Sequence, residues 1–478
     1  MSISANQLKN QHLLWRAAFG PMAENANELS TVPQKDLYKL LVRTSSKKPV
    51  EFNVASNLFD GLVKGVQDVG MMQQLTQDKK KMLRKQSVQD IKNLNLTWLS
   101  EMINSEAQMR EKMSLFWHGH FACRVINIYF QQQLLNTIRE NALGNFGDLL
   151  REVSKSPAML SFLNNQQNKK QHPNENFARE VMELFTMGRG NYTEEDVKES
   201  ARAFTGWGFN LKGEFVERPF LHDNGNKTFL GKTGNFDGDD IIDILLEQGQ
   251  TAKFITQKIY KYFVNDKPDS EKIESLANSF YQSNYDIKKL LTQIYTSDWF
   301  YNDKNIGTHI KSPVELLVGI RRLLPMELDK PEVQLLFQRA LGQILFYPPN
   351  VAGWPGGKNW IDSSALMLRM RIPQILTAAD DFVVNPKDDD DTMMGMEDVD
   401  KKAKARQVNS SVDWAAITKV FDNIARENLM QKISDIVLQT KSKIDKNILD
   451  KYVEKDARDG YIKTTIVELM STPEYQLC

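Results

Sequence analysis

The chain has 478 residues, of which 41% are hydrophobic and 26% charged, a composition typical of globular proteins. Its 61 basic and 61 acidic residues cancel, so no overall positive field favours nucleic acid, and no apolar run approaches the roughly 18 residues of a transmembrane segment. The two cysteines, Cys123 and Cys478, exclude a disulfide framework. The start of the chain lacks the pattern of a signal peptide, which predicts a cytoplasmic protein unless an unrecognised export route is used.

Apolar residues recur at helical spacing through residues 5–165 and predict a series of helices there. A second helical pair follows between 173 and 207. Gly188 or Gly190 can end its first helix in a left-handed conformation, and Thr193 begins the next helix, with Asp196 in a capping-box position.

Glycines, aromatic and β-branched residues then predict a short β excursion, after which helical periodicity returns at 239–247, 250–264, 270–282, 285–296, 312–323 and 331–341. We therefore predict a mainly α, multi-helical single architecture with a small β-hairpin or irregular excursion near 207–232. The predicted parts are a helical core at 1–385, an acidic mobile loop or linker at 386–411, and a helical segment at 412–478 that packs on the core.

The segment Phe116–Phe121 contains His118 and His120, which could ligate a divalent metal or act in catalysis. A His-x-His pair chelates when the backbone is extended, whereas in a helix the two side chains point about 200° apart. The alternative is that both histidines are structural residues packed among aromatic rings in the core.

A helix start at Asn174 carries polar candidates for a ligand site: Asn174, Glu175, Asn176 and Arg179. Glu180 flanks the apolar stripe of this helix, so partial burial could raise its pKa into a range useful for acid–base catalysis. The alternative is a carboxylate paired with a structural arginine such as Arg202.

A polar turn contains His222, Asp223 and Lys227, which could line a cleft as catalytic or ligand-binding groups. Turn formation by the Asp-Asn-Gly sequence accounts for part of this pattern without any chemistry.

A loop rich in proline, glycine and tryptophan starts at Phe346 and includes Trp354 and Trp360. Exposed tryptophans could stack on sugars or other flat ligands, and burial of Trp207, Trp354 and Trp360 would remove that possibility.

Several segments together carry a family resemblance: HLLWRAAFGP, FWHGHFA, NENFARE, ARAFTGW, HDNGNKTFLG and PPNVAGWPGG. In this order, from His12 nearly to the end of the chain, they resemble the bacterial family called domain of unknown function 1800. The resemblance implies a helical protein without an assigned activity, often encoded beside an uncharacterised sulfatase-like protein that could be its partner. Many members are exported.

Two functional hypotheses remain. The first is a binding or assembly protein that works with a partner, because no complete catalytic signature occurs. The alternative is a hydrolase-type enzyme, with or without a divalent metal, whose cleft gathers His118, His120, Glu180, His222 and Asp223. In either case the candidate ligand-binding residues are Asn174, Glu175, Asn176, Arg179, Arg202, Lys227 and Trp354.

Overall fold

The computed structural model describes residues 4–55, 76–210, 212–378, 381–382, 406–440 and 443–478. Over these residues the fold is mainly helical with short antiparallel strand pairs, as predicted. The helices before the β excursion are α1 Ala5–Ala17, α2 Gln34–Ser45, α3 Gln77–Asn104, α4 Gln108–His120, α5 Ile128–Asn141, α6 Phe146–Lys155, α7 Pro157–Phe162, α8 Glu175–Glu180 and α9 Glu194–Ala203. A π-helix, Val181–Thr186, continues α8 directly.

The β excursion consists of two hairpins. Strand β1 (Trp207–Phe209) pairs with β2 (Phe215–Glu217), and β3 (Lys227–Phe229) pairs with β4 (Lys232–Gly234). The ring of Trp207 is 1% exposed and packs edge-on against Phe204 at the end of α9. Burial of this large ring fixes the first hairpin against the helical core.

The predicted helices after the hairpins are confirmed. They are α10 Gly238–Leu246, α11 Gly249–Phe263, α12 Ser270–Gln282, α13 Ile287–Tyr295, α14 Pro313–Leu323 and α15 Val333–Ala340. None of the described helices has both the length and the apolar character needed to cross a lipid bilayer.

The last part of the chain contains helices and two further strand pairs. The helices are α16 Ser363–Ala378, α17 Trp414–Thr418, α18 Leu429–Val437, α19 Lys446–Leu449 and α20 Arg458–Met470. Strand β5 (Met326–Leu328) pairs with β8 (Ser410–Val412), and β6 (Asp381–Phe382) pairs with β7 (Arg406–Gln407). The acidic residues 388–391 of the predicted linker lie outside the described residues. Its described end, 406–411, contains β7 and most of β8.

Three apolar clusters form the core of the described part of the chain. The first joins α1 to the hairpins and to the helices up to Tyr301, the second joins α14–α16 to the helices after 412, and the third packs α3 against α14. Helix α14 therefore contributes apolar residues to the second and third clusters, and its charged residue Glu315 pairs with Lys112 of α4.

A buried ion pair connects α4 to α14. Lys112 of α4 donates to Glu315 of α14, and the two side chains are 2% and 1% exposed. Glu315 also accepts from the backbone N–H of Ser312 at 2.7 Å and lies 3.2 Å from His309 Nε2. Burial alone would raise the pKa of Glu315, but Lys112 and His309 outweigh this effect and hold it well below its usual value. Glu315 is therefore a buried anion.

A second buried network joins α4 to α5. The Glu111 carboxylate accepts from Arg139 Nη2 at 3.0 Å, from Arg110 Nε at 3.1 Å and from Trp98 Nε1 at 3.0 Å. Glu111 and Arg139 have fully buried side chains. Because Arg139 comes from α5 and Trp98 from α3, the network fixes the orientation of α4, the helix that carries His118 and His120.

Candidate functional site

His118 is enclosed by aromatic rings. Its ring centroid lies 5.2 Å from that of Trp98, 5.0 Å from that of Phe346 and 5.4 Å from that of Trp354. Its Nε2 accepts a hydrogen bond from the Phe346 backbone N–H at 3.2 Å, so the imidazole is neutral at this nitrogen. Burial lowers the pKa of His118 to about 3.

His120 lies at the end of the same helix in a different environment. Its Nε2 is 3.2 Å from the Phe185 carbonyl oxygen, and its Nδ1 is 3.1 Å from Nζ of Lys258 on α11. The carbonyl requires a proton on Nε2, which leaves Nδ1 to accept from the lysine. Burial and the neighbouring Lys258 hold the pKa of His120 well below its usual value.

The two histidines do not share a metal-binding geometry. Both belong to α4, where residues two apart point about 200° from each other, and each ring nitrogen named above already bonds to a protein group. Over the described ranges, no three His, Cys, Asp or Glu side chains gather closely enough to hold a metal ion.

The neutral state of His118 gives a pH prediction. Below pH 6.5 the unfolded chain binds a proton that the folded chain binds only near pH 3, so stability is lost as the pH falls. Between pH 6.5 and 5.0 this histidine removes about 2 kcal/mol from the free energy of unfolding. His118→Gln should lose about 2 kcal/mol less than the wild type over that range in urea titrations, because its amide oxygen can still accept from Phe346. Parallel pH profiles of the two proteins would contradict the assignment.

The polar start of α8 forms local caps and ion pairs. Asn174 caps the helix by accepting from the Asn176 N–H at 3.0 Å, and Asn176 Nδ2 donates to the Leu163 carbonyl at 3.1 Å. Arg179 pairs with Glu175 at 3.1 Å and, by both terminal nitrogens, with Glu194 at 2.8 Å. Glu194 and its arginine join α8 to the start of α9.

Glu180 differs from these neighbours because its carboxylate forms no hydrogen bond or ion pair with the described residues. It is half-buried, and burial together with the nearby Glu183 raises its pKa. Glu183 accepts from the Tyr192 hydroxyl at 2.7 Å. The expected alternative partner of Glu180, Arg202, pairs with other acids.

Arg202 links α9 to the polar turn. Its Nε donates to Asp223 at 2.8 Å and its Nη1 to Glu199 at 2.8 Å. The Asp223 carboxylate also accepts from the Gly225 N–H at 2.8 Å, which is the turn-forming bond expected of an Asp-Asn-Gly sequence. The Arg202 guanidinium lowers the pKa of Asp223, so this residue is held as an anion.

His222 and Lys227 point to backbone carbonyls of the same region. His222 Nδ1 lies 2.9 Å from the Thr205 oxygen. Lys227 Nζ donates to the Asp223 carbonyl, to the Phe236 carbonyl at 2.7 Å and to Asn235 Oδ1 at 3.3 Å, with the residue 1% exposed. Lys227 thereby connects the turn to the segment after β4.

The glycine-tryptophan loop, 350–357, lies on the end of α4. A Cβ at Gly353 would meet the Gly119 carbonyl oxygen at 2.4 Å, and the φ of +82° at Gly353 also favours glycine. Trp354 is half-buried over His118, whereas Trp207 and Trp360 are 1% and 7% exposed. Two of the three tryptophans proposed for sugar stacking are therefore buried.

The structure thus brings some candidates together and gives others separate environments. Asp223, Arg202 and Lys227 form one network, Glu175 and Arg179 another, and Trp354 covers His118. His118, His120, Glu180 and His222 have four different sets of partners. Sequence reasoning missed Lys258, Glu199 and Glu194. The sequence indicates that Glu194 lies in the first turn of α9, but it does not indicate that Glu194 pairs with Arg179 of α8.

Lys258 is the least expected member of this region. It donates to the Leu184 carbonyl at 3.0 Å beside His120, at the end of the π-helix, and burial lowers its pKa to about 8. The carbonyls at a helix C-terminus lack intrahelical donors and favour a cation, which explains why a lysine is accommodated here.

Comparison with known proteins gives one match. No curated protein and no solved structure matches the chain. A family model described as a protein of unknown function, DUF1800, matches residues 12–477. This span contains both hairpins, α4 with its histidines and the glycine-tryptophan loop, and by it the chain belongs to the DUF1800 family.

Proposed function

We propose that this protein is a binding or assembly protein that acts through a partner, and that its polar motifs maintain the fold. The observation that carries the proposal is the state of the candidate catalytic groups. His118, His120 and His222 are buried against backbone groups, and Asp223 is paired with Arg202. A general base or nucleophile needs a free, reachable atom, and each of these side chains has at least one of its polar atoms engaged by a protein group.

The glycine-tryptophan loop is the surface that we propose for the partner. Ala352, Pro355 and Gly356 at its tip are exposed, while Gly353 and Trp354 hold its base against α4. A loop fixed in this way loses little conformational entropy on binding. The family resemblance suggests a sulfatase-like protein as the partner.

Ala352→Arg tests this surface, because it adds bulk and charge at the exposed tip while the backbone N–H of residue 352 can still donate to Asn350. We expect at least a tenfold loss of affinity for the sulfatase-like protein encoded in the native host, measured by biolayer interferometry. The matched control is Ala415→Arg at an exposed position of α17, which should bind like the wild type. Absence of wild-type binding, or equal binding by both variants, would contradict the proposal.

A hydrolase is the second candidate, and Glu180 is the observation that favours it. This half-buried carboxyl has a raised pKa and lies near Glu183, whose carboxylate accepts from Tyr192. Two carboxyls in unlike environments are a common basis for acid–base catalysis. Activity toward ester or phosphoester substrates that disappears in Glu180→Gln would support the enzyme, with or without a divalent metal.

A further inference from the structure

Two adjoining clefts lie beside α3 and the end of α14, and neither is lined by a site residue predicted from the sequence. The first, of about 410 Å³, is bounded by α3, the end of α14 and the segment from Leu328 to Gln334. The second, of about 440 Å³, lies between the end of α3 and the β5–β8 pair. Arg321 lines both clefts. Volumes of this size accept small organic molecules.

Arg321 has no carboxylate partner among the described residues. Its Nη1 donates to Gln334 Oε1 at 2.8 Å and its Nη2 to the Met326 carbonyl at 3.1 Å. Its Nε is buried and has no acceptor. A guanidinium offers five N–H donors, so this one retains unused hydrogen-bonding capacity.

Arg322 increases the positive charge beside it. Arg322 is 5% exposed and donates to the Gly20 carbonyl at 3.1 Å and the Ile103 carbonyl at 2.8 Å, again without a carboxylate. Burial lowers the pKa of Arg322 to about 10. The negative end of the α14 dipole offsets part of this charge but supplies no counterion.

The acidic residues near the clefts do not neutralise the arginines. Glu327 and Asp413 line the second cleft, and Asp413 accepts from the Ala416 N–H as the cap of α17. Neither forms an ion pair with Arg321 or Arg322 within the described part of the chain. In the first cleft, Arg321 is the sole charged residue among the described lining residues.

The rest of the first cleft combines polar and apolar surface. Thr97 and Ser100 present hydroxyl groups from α3, and Leu96, Leu328 and Pro331 present apolar groups. A charged anchor beside hydroxyls and an apolar wall is the composition of a site for a small amphipathic molecule.

We propose that this cleft binds a small organic anion, whose carboxylate or phosphate group pairs with Arg321 while its apolar part lies against Leu96, Leu328 and Pro331. An oxyanion would accept from the planar donors of the guanidinium and supply the counterion that the described residues do not provide. The proposal does not depend on the partner-binding function, because the glycine-tryptophan loop does not line this cleft.

Calorimetry on the full chain with benzoate and phenyl phosphate tests this site, since the two probes share an apolar ring and differ in the anion. We expect one or both to bind the wild type, and Arg321→Gln to weaken binding at least tenfold. Arg84→Gln is the matched control, because Arg84 is an exposed cation of the same α3 helix and forms no ion pair with a described residue; the affinity of this variant should equal that of the wild type.

Thr97→Phe provides a second test that keeps the arginine but fills the cleft, and it should also abolish binding. Binding of benzoate alone assigns a carboxylate ligand, and binding of phenyl phosphate alone assigns a phosphate ligand; either supports the proposal. No binding of either probe to the wild type at millimolar concentration would overturn it. Equal loss in Arg321→Gln and Arg84→Gln, or full binding by Thr97→Phe, would overturn it as well.

Discussion

Replacement of Glu315 by alanine lowers the free energy of unfolding by about 3–5 kcal/mol. The substitution leaves the Lys112 ammonium buried between two apolar clusters without its counterion, and it removes the acceptor of the Ser312 N–H. Urea unfolding followed by circular dichroism measures the loss.

Two further variants separate the ion pair from a general effect of losing a glutamate. Glu271→Ala, at an exposed position of α12 that forms no ion pair within the described ranges, should change stability by no more than about 0.5 kcal/mol. Lys112→Met combined with Glu315→Leu should recover part of the loss, because apolar residues of similar volume replace both charges. A Glu315→Ala variant as stable as Glu271→Ala would show that the pair does not join the clusters.

Much of the fold follows from local signals in the sequence. The helices after the hairpins lie where apolar residues recur at helical spacing, and Thr193 with Asp196 forms the predicted capping box. Gly188 and Gly190 both have the positive φ expected at a helix end. These features depend on residues a few positions apart, which a single sequence displays directly.

The buried charges could not be predicted in the same way. Lys112 and Glu315 are 203 positions apart, and Glu111 and Arg139 are 28 apart, so their pairing depends on tertiary packing. Glu315 left one local signal, the Ser312 to Glu315 capping-box spacing, which explains its helix start but not its second role as counterion.

The candidate site shows the same limit. The turn at Asp223 was explained by its own sequence, but the sequence suggested only Glu180 as a partner of Arg202, whereas the structure pairs Arg202 with Asp223 and Glu199. The π-helix after Glu180 also left no clear signal, although it determines where the Leu184 and Phe185 carbonyls meet Lys258 and His120.

Lys227→Met is expected to lower the free energy of unfolding by about 3 kcal/mol. The variant keeps the apolar stem but leaves the Asp223 and Phe236 carbonyls and Asn235 Oδ1 without their shared donor. Each of the two partly buried carbonyls left without a donor costs about 1–3 kcal/mol, whereas the exposed Asn235 can bond to water. Lys232→Met is the control from the same hairpin, because its exposed ion pair with Glu247 should contribute less than about 1 kcal/mol.

The stability of Lys227→Met is the most direct test of the claim that the conspicuous polar motifs hold the fold together. If the claim is correct, the urea midpoint falls well below those of the wild type and Lys232→Met. A residue kept for chemistry at the expense of stability would behave in the opposite way, because its removal leaves stability unchanged or raises it. An unchanged or higher midpoint for Lys227→Met would therefore contradict the account and favour an enzyme.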